Sequence, residues 1–259
     1  MKAIILSAGQ GRRLLPQTAT RPKCLIEVGG QSVLAWQLRV LSKAAIRTAV
    51  VVVGFGAAEV ERHLRDHRPE GMEVRALFNP RFDCSDNLVS CLAARAEMRE
   101  DFLLMNGDTL FDPAVVGRLS ASRGGSVLMA LGRKAAYDAD DMKVACGDGL
   151  VTRIGKDLPA ERIGGEAIGV SLFRDGGPRL FVDALEDVAR EADADRRWYL
   201  SALDRLAARG LVHGVAVDDL GWAEIDYPRD LVDAGALVAG WADAGAAQPA
   251  AAAGDTVTA

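Results

Sequence analysis

Apolar runs rich in β-branched residues and leucine alternate with amphipathic stretches through the first half of the chain, and this alternation limits the possible folds more than any other feature. The runs occupy residues 3–6, 49–53, 102–105 and 126–129. Continuous apolar segments of this length suit strands buried on both faces, as in a parallel sheet covered by helices. Residues 33–41 carry the apolar spacing of a core-facing helix. Further crossovers fall at 57–66, 87–98 and 113–121, the last opened by Asp112 as an N-cap with Pro113 at the first helical position. The pattern predicts a doubly wound, mostly parallel, Rossmann-like α/β sheet over about the first 130 residues.

Beyond that point the rhythm loosens. Val144, 151–154 and 167–173 read as strands separated by glycine-rich turns, and helices are expected at 179–190 and 198–208. These elements extend the same sheet with a small β-rich lid at about 133–227, so that residues 1–245 form one domain. Residues 246–259 are alanine-rich and low in complexity, which predicts a disordered tail. No internal repeat interrupts the chain.

Charge and cysteine usage narrow the function. With 31 Lys+Arg against 36 Asp+Glu, the net charge of −5 argues against a general nucleic-acid binder, while a local basic cluster can still hold a small anion. Cys24, Cys84, Cys91 and Cys146 are scattered without a CxxC pair, which fits reduced thiols and a cytoplasmic location. No apolar run is long enough to span a membrane, and the N-terminus lacks the features of a signal peptide.

The first strand runs into Ser7-Ala8-Gly9-Gln10-Gly11-Arg12-Arg13-Leu14, followed after a few residues by Arg21-Pro22-Lys23. Glycines after a buried strand let backbone N–H groups approach a phosphate chain, and arginine and lysine add charge. A Walker A loop would need Gly-Lys-Ser/Thr, and a dinucleotide fingerprint would need a third glycine where Leu14 stands and an acid after the second strand where Gly54 stands. What remains is a long basic loop suited to a triphosphate. Asn106-Gly107-Asp108 follows the strand at 102–105, and Asp226 ends a short strand far along the chain. Two hard carboxylates brought together from distant segments suit Mg²⁺, which keeps some waters and takes one or two carboxylates plus substrate phosphates. His63 and His67, four residues apart, lack the glutamate of an HExxH zinc site, and His213 is isolated; all three read as structural or solvent-facing.

The segments 6–14 and 21–25 together resemble the signature of the sugar-nucleotidyltransferase-like NTP transferases, with Ser7 where alanine is commoner. The resemblance extends to about Leu231. It implies catalytic roles for Arg13 and Lys23, nucleotide contacts from Leu6, Ala8, Gly9, Gly11 and Arg12, and metal binding by Asp108 and Asp226. Ser85-Asp86-Asn87-Leu88-Val89-Ser90-Cys91-Leu92 resembles an element of bacterial phosphocholine cytidylyltransferases and their 2-aminoethylphosphonate-using relatives, with Asp86 replacing the first asparagine. Asn87 and Ser90, one helical turn apart, would offer an amide and a hydroxyl to the base, with helix capping by Ser85 or Asp86 as the structural alternative.

That subgroup implies CTP, Mg²⁺ and a small phosphorylated or phosphonate amine as reactants. Further similarities fall on Lys143 and Lys156, which could hold the acceptor phosphate, and on Glu166 and Trp198-Tyr199. Trp198, Tyr199, Trp222 and Tyr227 stand out in a chain with only 5% aromatic residues, and such rings could receive a quaternary ammonium balanced by Asp138, Asp140, Glu166 or Glu224. Inositol 1-phosphate is a second acceptor, because residues 154–158 also resemble inositol-1-phosphate cytidylyltransferases, and sugar 1-phosphates are a third. A non-catalytic nucleotide sensor using the same loop, and a homodimeric assembly, are both compatible with the sequence.

Overall fold

The computed structural model describes residues 1–246. In chain order the elements are β1 (Lys2–Ser7), β2 (Glu27–Val28), β3 (Gln31–Ser32), α1 (Val33–Lys43), β4 (Thr48–Val53), α2 (Ala57–His67), β5 (Glu73–Phe78), α3 (Asn87–Ala93), β6 (Phe102–Asn106) and β7 (Thr109–Phe111). They continue with α4 (Ala114–Ala121), β8 (Val127–Gly132), β9 (Lys143–Gly147), β10 (Leu150–Gly155), β11 (Gly165–Phe173), α5 (Gly177–Ala189), α6 (Leu200–Ala207), β12 (Val212–Ala216), β13 (Trp222–Glu224) and α7 (Asp230–Ala246). Ala246, expected to begin the tail, instead ends α7, and 247–259 lie outside the described residues.

Nine strands form one sheet in the order β5-β4-β1-β6-β11-β8-β12-β10-β9. The buried strands alternate between two cores. Ala3 and Ile5 of β1, and Leu103 and Met105 of β6, pack beneath α1, α2 and α4. Ile4, Leu6, Phe102 and Leu104 face the opposite core with α3, α5 and α6. This covering on both faces is what the continuous apolar runs require. A smaller cluster of Leu14, Trp36, Ile225 and Val238 pins the loop after β1 to α7. α4 starts one residue later than expected, with Pro113 at the N-cap and Ala114 first in the helix, and Asp112 Oδ1 accepts the Ala114 N–H at 2.8 Å.

The sheet is mixed, which corrects the expectation of a mostly parallel one. β5, β4, β1 and β6 pair in parallel, but β11 lies between β6 and β8 and is antiparallel to both. The register of β11 shifts between Ala167 and Ser171, bending the strand so that its first residues also pair with β9. Gly169 permits this bend: its φ is +76°, and a Cβ there would meet Asn106 Nδ2 at 2.5 Å. The β9–β11 pairing closes β11, β8, β12, β10 and β9 into a ring. Asp148-Gly149, both at positive φ, turn β9 into β10 as a two-residue hairpin.

Edge strand β5 and strand β12 were not foreseen. β5 alternates exposed and half-buried residues because it has a neighbour on one side only, so it lacks the apolar run that marks β1, β4 and β6. The helix expected at 87–98 stops at Ala93 and continues as a separate 3₁₀ turn at Arg95–Glu97.

Candidate active site

Three features shape the loop that leaves β1. Gly11 adopts φ +74°, and a Cβ there would approach the Lys23 side chain to 2.8 Å, so the lysine shaft crosses the loop only because residue 11 is glycine. Leu14, fully buried, anchors the short 3₁₀ turn Arg12–Leu14, while Arg12 and Arg13 stay at the surface of the cleft. The buried Thr18 hydroxyl donates to the Gly11 carbonyl at 2.8 Å and fixes the far side of the loop.

Asp108 stands at the carboxyl end of β6, where open α/β sheets hold their ligands. Its backbone is held on all sides. The Gly107 N–H donates to the Leu6 carbonyl at 2.9 Å, and the Ile225 N–H donates to the Asp108 carbonyl at 3.0 Å. Gln37, buried in α1, donates from Nε2 to the carbonyls of Asn106 and Thr109, each at 2.8 Å. The antiparallel pairing of β7 with β13, Thr109 opposite Glu224, brings Asp226 beside Asp108 across more than a hundred residues of chain. Asp230 accepts the N–H groups of Asp226 and Tyr227 at 2.8 and 2.7 Å and sets the turn that presents Asp226.

Lys23 Nζ lies 2.5 Å from Asp108 Oδ2 and 2.7 Å from Asp226 Oδ1, and Arg13 reaches the same Asp226 oxygen at 2.7 Å. Burial disfavours the Lys23 ammonium, but Asp108 and Asp226 outweigh it and its pKa rises. Glu224, two residues before Asp226, has its carboxyl pushed up to about 8 by burial and then by Asp108 and Asp226, against the pull of Lys23. The Asp108 and Asp226 carboxylates therefore face two cations with the Glu224 carboxyl beside them, and the buried Asp108 Oδ1 has no hydrogen-bond partner.

This donor set fits Mg²⁺. The oxygens are hard, one buried oxygen is open, and among the described residues no set of three or more His, Cys, Asp or Glu side chains could hold an ion unaided. An ion there would need water or phosphate oxygens to complete its shell, as Mg²⁺ with a nucleotide does.

The cleft around this centre encloses about 430 Å³ and is lined by Leu6, Ala8, Gly9, Gly11, Arg12, Arg13, Lys23, Asn87, Ser90, Asp108, Lys156, Trp198 and Asp226, among others. Asn87 Oδ1 accepts the Tyr199 N–H at 2.9 Å, which leaves its amide hydrogens for a ligand. Ser90 Oγ accepts from Asn79 Nδ2 at 2.9 Å, which leaves its own proton to donate. Asp86 occupies the N-cap position of α3 without a side-chain capping bond, and Ser85 donates instead to the Arg81 carbonyl at 2.6 Å.

Four expected acceptor residues stand elsewhere. Lys143, 6% exposed, donates to the carbonyls of Asp138, Asp141 and Lys156, so it organises the loop between β8 and β9 and has no proton left for a phosphate. Glu166, 1% exposed, lies 2.6 Å from Lys134 Nζ behind the cleft wall, and burial raises its pKa despite that lysine. Tyr199, also 1% exposed, packs edge-on to Phe181 in the core, with its hydroxyl on Asn106 Oδ1 at 3.1 Å. Tyr227 lines an adjoining cavity of about 370 Å³ that shares Asp140, Glu224 and Asp226 with the cleft.

Gln37 was not foreseen at the site, and Asp140 has a further role there. Asp140, expected only as a counter-charge, accepts from the Tyr227 hydroxyl at 2.8 Å, Lys156 Nζ at 3.2 Å and Arg13 Nη1 at 3.3 Å, tying the loop between β8 and β9 to the glycine-rich loop after β1. Gln37 left one signal, a single amide on the otherwise apolar buried face of α1.

Residues 3–201 match the MobA-like NTP transferase domain. The chain belongs to that family. Among its relatives, the CMP-5'-(3-aminopropyl)phosphonate synthase of Streptomyces rubellomurinus is 32% identical over 89% of this NTP transferase chain. The match spans only 37% of that longer protein. The N-acetylmuramate alpha-1-phosphate uridylyltransferase of Caulobacter vibrioides is 29% identical, covering 92% of this chain and 96% of its own. The inositol-1-phosphate CTP transferase of T. maritima superposes with a TM-score of 0.76 at 21% identity, over 92% of this NTP transferase and 95% of that chain, and shares the fold. Among the described residues no helix is long and apolar enough to cross a membrane.

Proposed function

We propose that the protein is a Mg²⁺-dependent cytidylyltransferase of the cytoplasm that transfers CMP from CTP to a small phosphorylated or phosphonate amine and releases pyrophosphate. The observation that carries this reading is the convergence of Asp108 and Asp226 on Lys23 and Arg13 beside the glycine loop. The similarity to an aminopropylphosphonate-activating relative supports the acceptor class. For the base, the Asn87 amide and the Ser90 hydroxyl offer two donors, which suit the acceptors O2 and N3 of cytosine; the N3–H of uracil would meet a donor instead.

An oxygen of the acceptor attacks the α-phosphorus in line. The new P–O bond forms as the bond from the α-phosphorus to the bridging oxygen breaks, and pyrophosphate leaves with the electron pair. The attacking oxygen is already ionised near neutral pH, so no side chain has to remove a proton. Arg13 and Lys23 neutralise the charge that builds on the phosphates, in a pocket where preformed charges need little reorganisation. Mg²⁺ held by Asp108 and Asp226 would neutralise and orient phosphate oxygens when bound.

The test is a pyrophosphate-release panel with CTP, UTP, ATP and GTP against phosphorylated and phosphonate amines, inositol 1-phosphate and sugar 1-phosphates. Turnover with CTP and an amine is expected, and its absence with every amine overturns the acceptor assignment. Asp108→Ala and Asp226→Ala should each lower turnover by about 10²-fold or more. A nucleotide sensor would instead keep nucleotide-dependent behaviour in both variants.

A further inference from the structure

The rings around the cleft bear on which kind of amine fits, given the cytidylyltransferase reading on which this inference rests. A quaternary ammonium has no N–H to donate and is recognised by open aromatic faces. Trp198, Trp222 and Tyr227 each already carry a cation of the chain; Phe82, which also lines the cleft, carries none and packs against Gly54 beside the Ala8 carbonyl. Lys156 Nζ sits 4.6 Å from the Trp198 centroid and 3.2 Å from Asp140 Oδ1. Lys134 Nζ lies 5.3 Å from the centroid of Trp222. Tyr227 is approached by the guanidinium carbons of Arg13 and Arg229 at 5.2 and 5.0 Å. The fourth ring expected at the site, Tyr199, is in the core.

Two carboxyl groups of the same cleft present the opposite picture. Asp86, at the start of α3, and Glu224, between the two cavities, line the cleft, yet neither side chain forms an ion pair or a hydrogen bond among the described residues. Glu224 is half-buried in the wall shared by the two cavities. A primary ammonium brings three N–H donors to such oxygens. A trimethylammonium brings none, and it would have to displace Lys156 from both Trp198 and Asp140 to reach the Trp198 face.

We propose that the acceptor carries a primary ammonium, and that the cations covering the rings, Lys156 over Trp198 foremost, select against quaternary amines. Phosphoethanolamine and phosphocholine form the matched pair for the test, since they differ only by three methyl groups. With the full chain, CTP and Mg²⁺, kcat/KM should be at least tenfold higher for phosphoethanolamine. Lys156→Met, and Lys156→Gln as a second variant that keeps an amide in place of the cation, should narrow that ratio at least fivefold by opening the Trp198 face, with the melting temperature checking that each is folded. Equal or better use of phosphocholine by the native chain overturns the inference and leaves cytidylyl transfer standing, and so does an equal loss for both acceptors in the folded variants. No turnover of either acceptor, or of their phosphonate counterparts, with any of the four nucleotides overturns the underlying reading as well.

Discussion

Lys23 divides its ammonium between Asp108 and Asp226, while Lys143, chemically the same, spends its donors on three backbone carbonyls. Nothing in residue type separates the two. What separates them is whether charged oxygens or main-chain carbonyls surround the end of the side chain. The same holds for Gln37, whose amide braces the turn carrying Asp108. Gln37→Leu keeps the helix apolar but withdraws a donor from buried carbonyls, and is expected to lower stability by about 1–3 kcal/mol in urea unfolding. His63 offers a pH-dependent check. Burial, and then its stacked neighbour His67, lower its pKa from 6.5 to about 4, and its Nε2 lies 2.8 Å from the Ser32 hydroxyl that caps α1. Because the folded pKa is depressed, the contribution is complete above pH 6.5 and is lost as pH falls toward 4. Melting temperatures of the native chain and His63→Gln should therefore diverge at pH 7 and converge as the pH approaches 4.

Among the elements, β1, β4, β6 and β8 were legible because burial on both faces leaves an apolar run that no other arrangement explains. β5 was not, since a strand at the sheet edge keeps one flank open to water and its sequence alternates. Junctions carry more of the function than the strands do. Gly107 joins β6 to the Asp108 turn, and a Cβ there would stand 2.4 Å from Ser7 Oγ and 2.6 Å from the Leu6 carbonyl oxygen. Gly107→Ala must move the backbone that presents Asp108. A displacement of about 1 Å at a reacting group costs on the order of 10²-fold in rate, so kcat should fall by roughly that factor. Gly117→Ala, in α4 with nothing within 4 Å of its added carbon, is the control, expected to raise stability by about 0.5–1 kcal/mol without changing kcat.

For the whole molecule, the glycine-rich loop after β1, the Asp108 turn and the β13 end of the chain meet in one cleft, so a ligand that bridges them should stabilise all three together. Mg²⁺ with CTP at about 100 times its dissociation constant should add roughly 2.7 kcal/mol to folding stability, read as a rise in melting temperature; removing the metal with EDTA should abolish both that rise and turnover. The local sequence was enough to determine the glycine-rich basic loop and the strand-end aspartate, because strands buried on both faces and tight turns impose patterns that neighbouring residues satisfy among themselves. The mixed pairing of β11, the approach of Asp226 to Asp108, and the separation of Lys156 and Trp198 from the buried Lys143, Glu166 and Tyr199 were decided only by tertiary structure. Each depends on partners many residues away, and a side chain's charge or ring says nothing of which distant carbonyl, carboxylate or cation will reach it first.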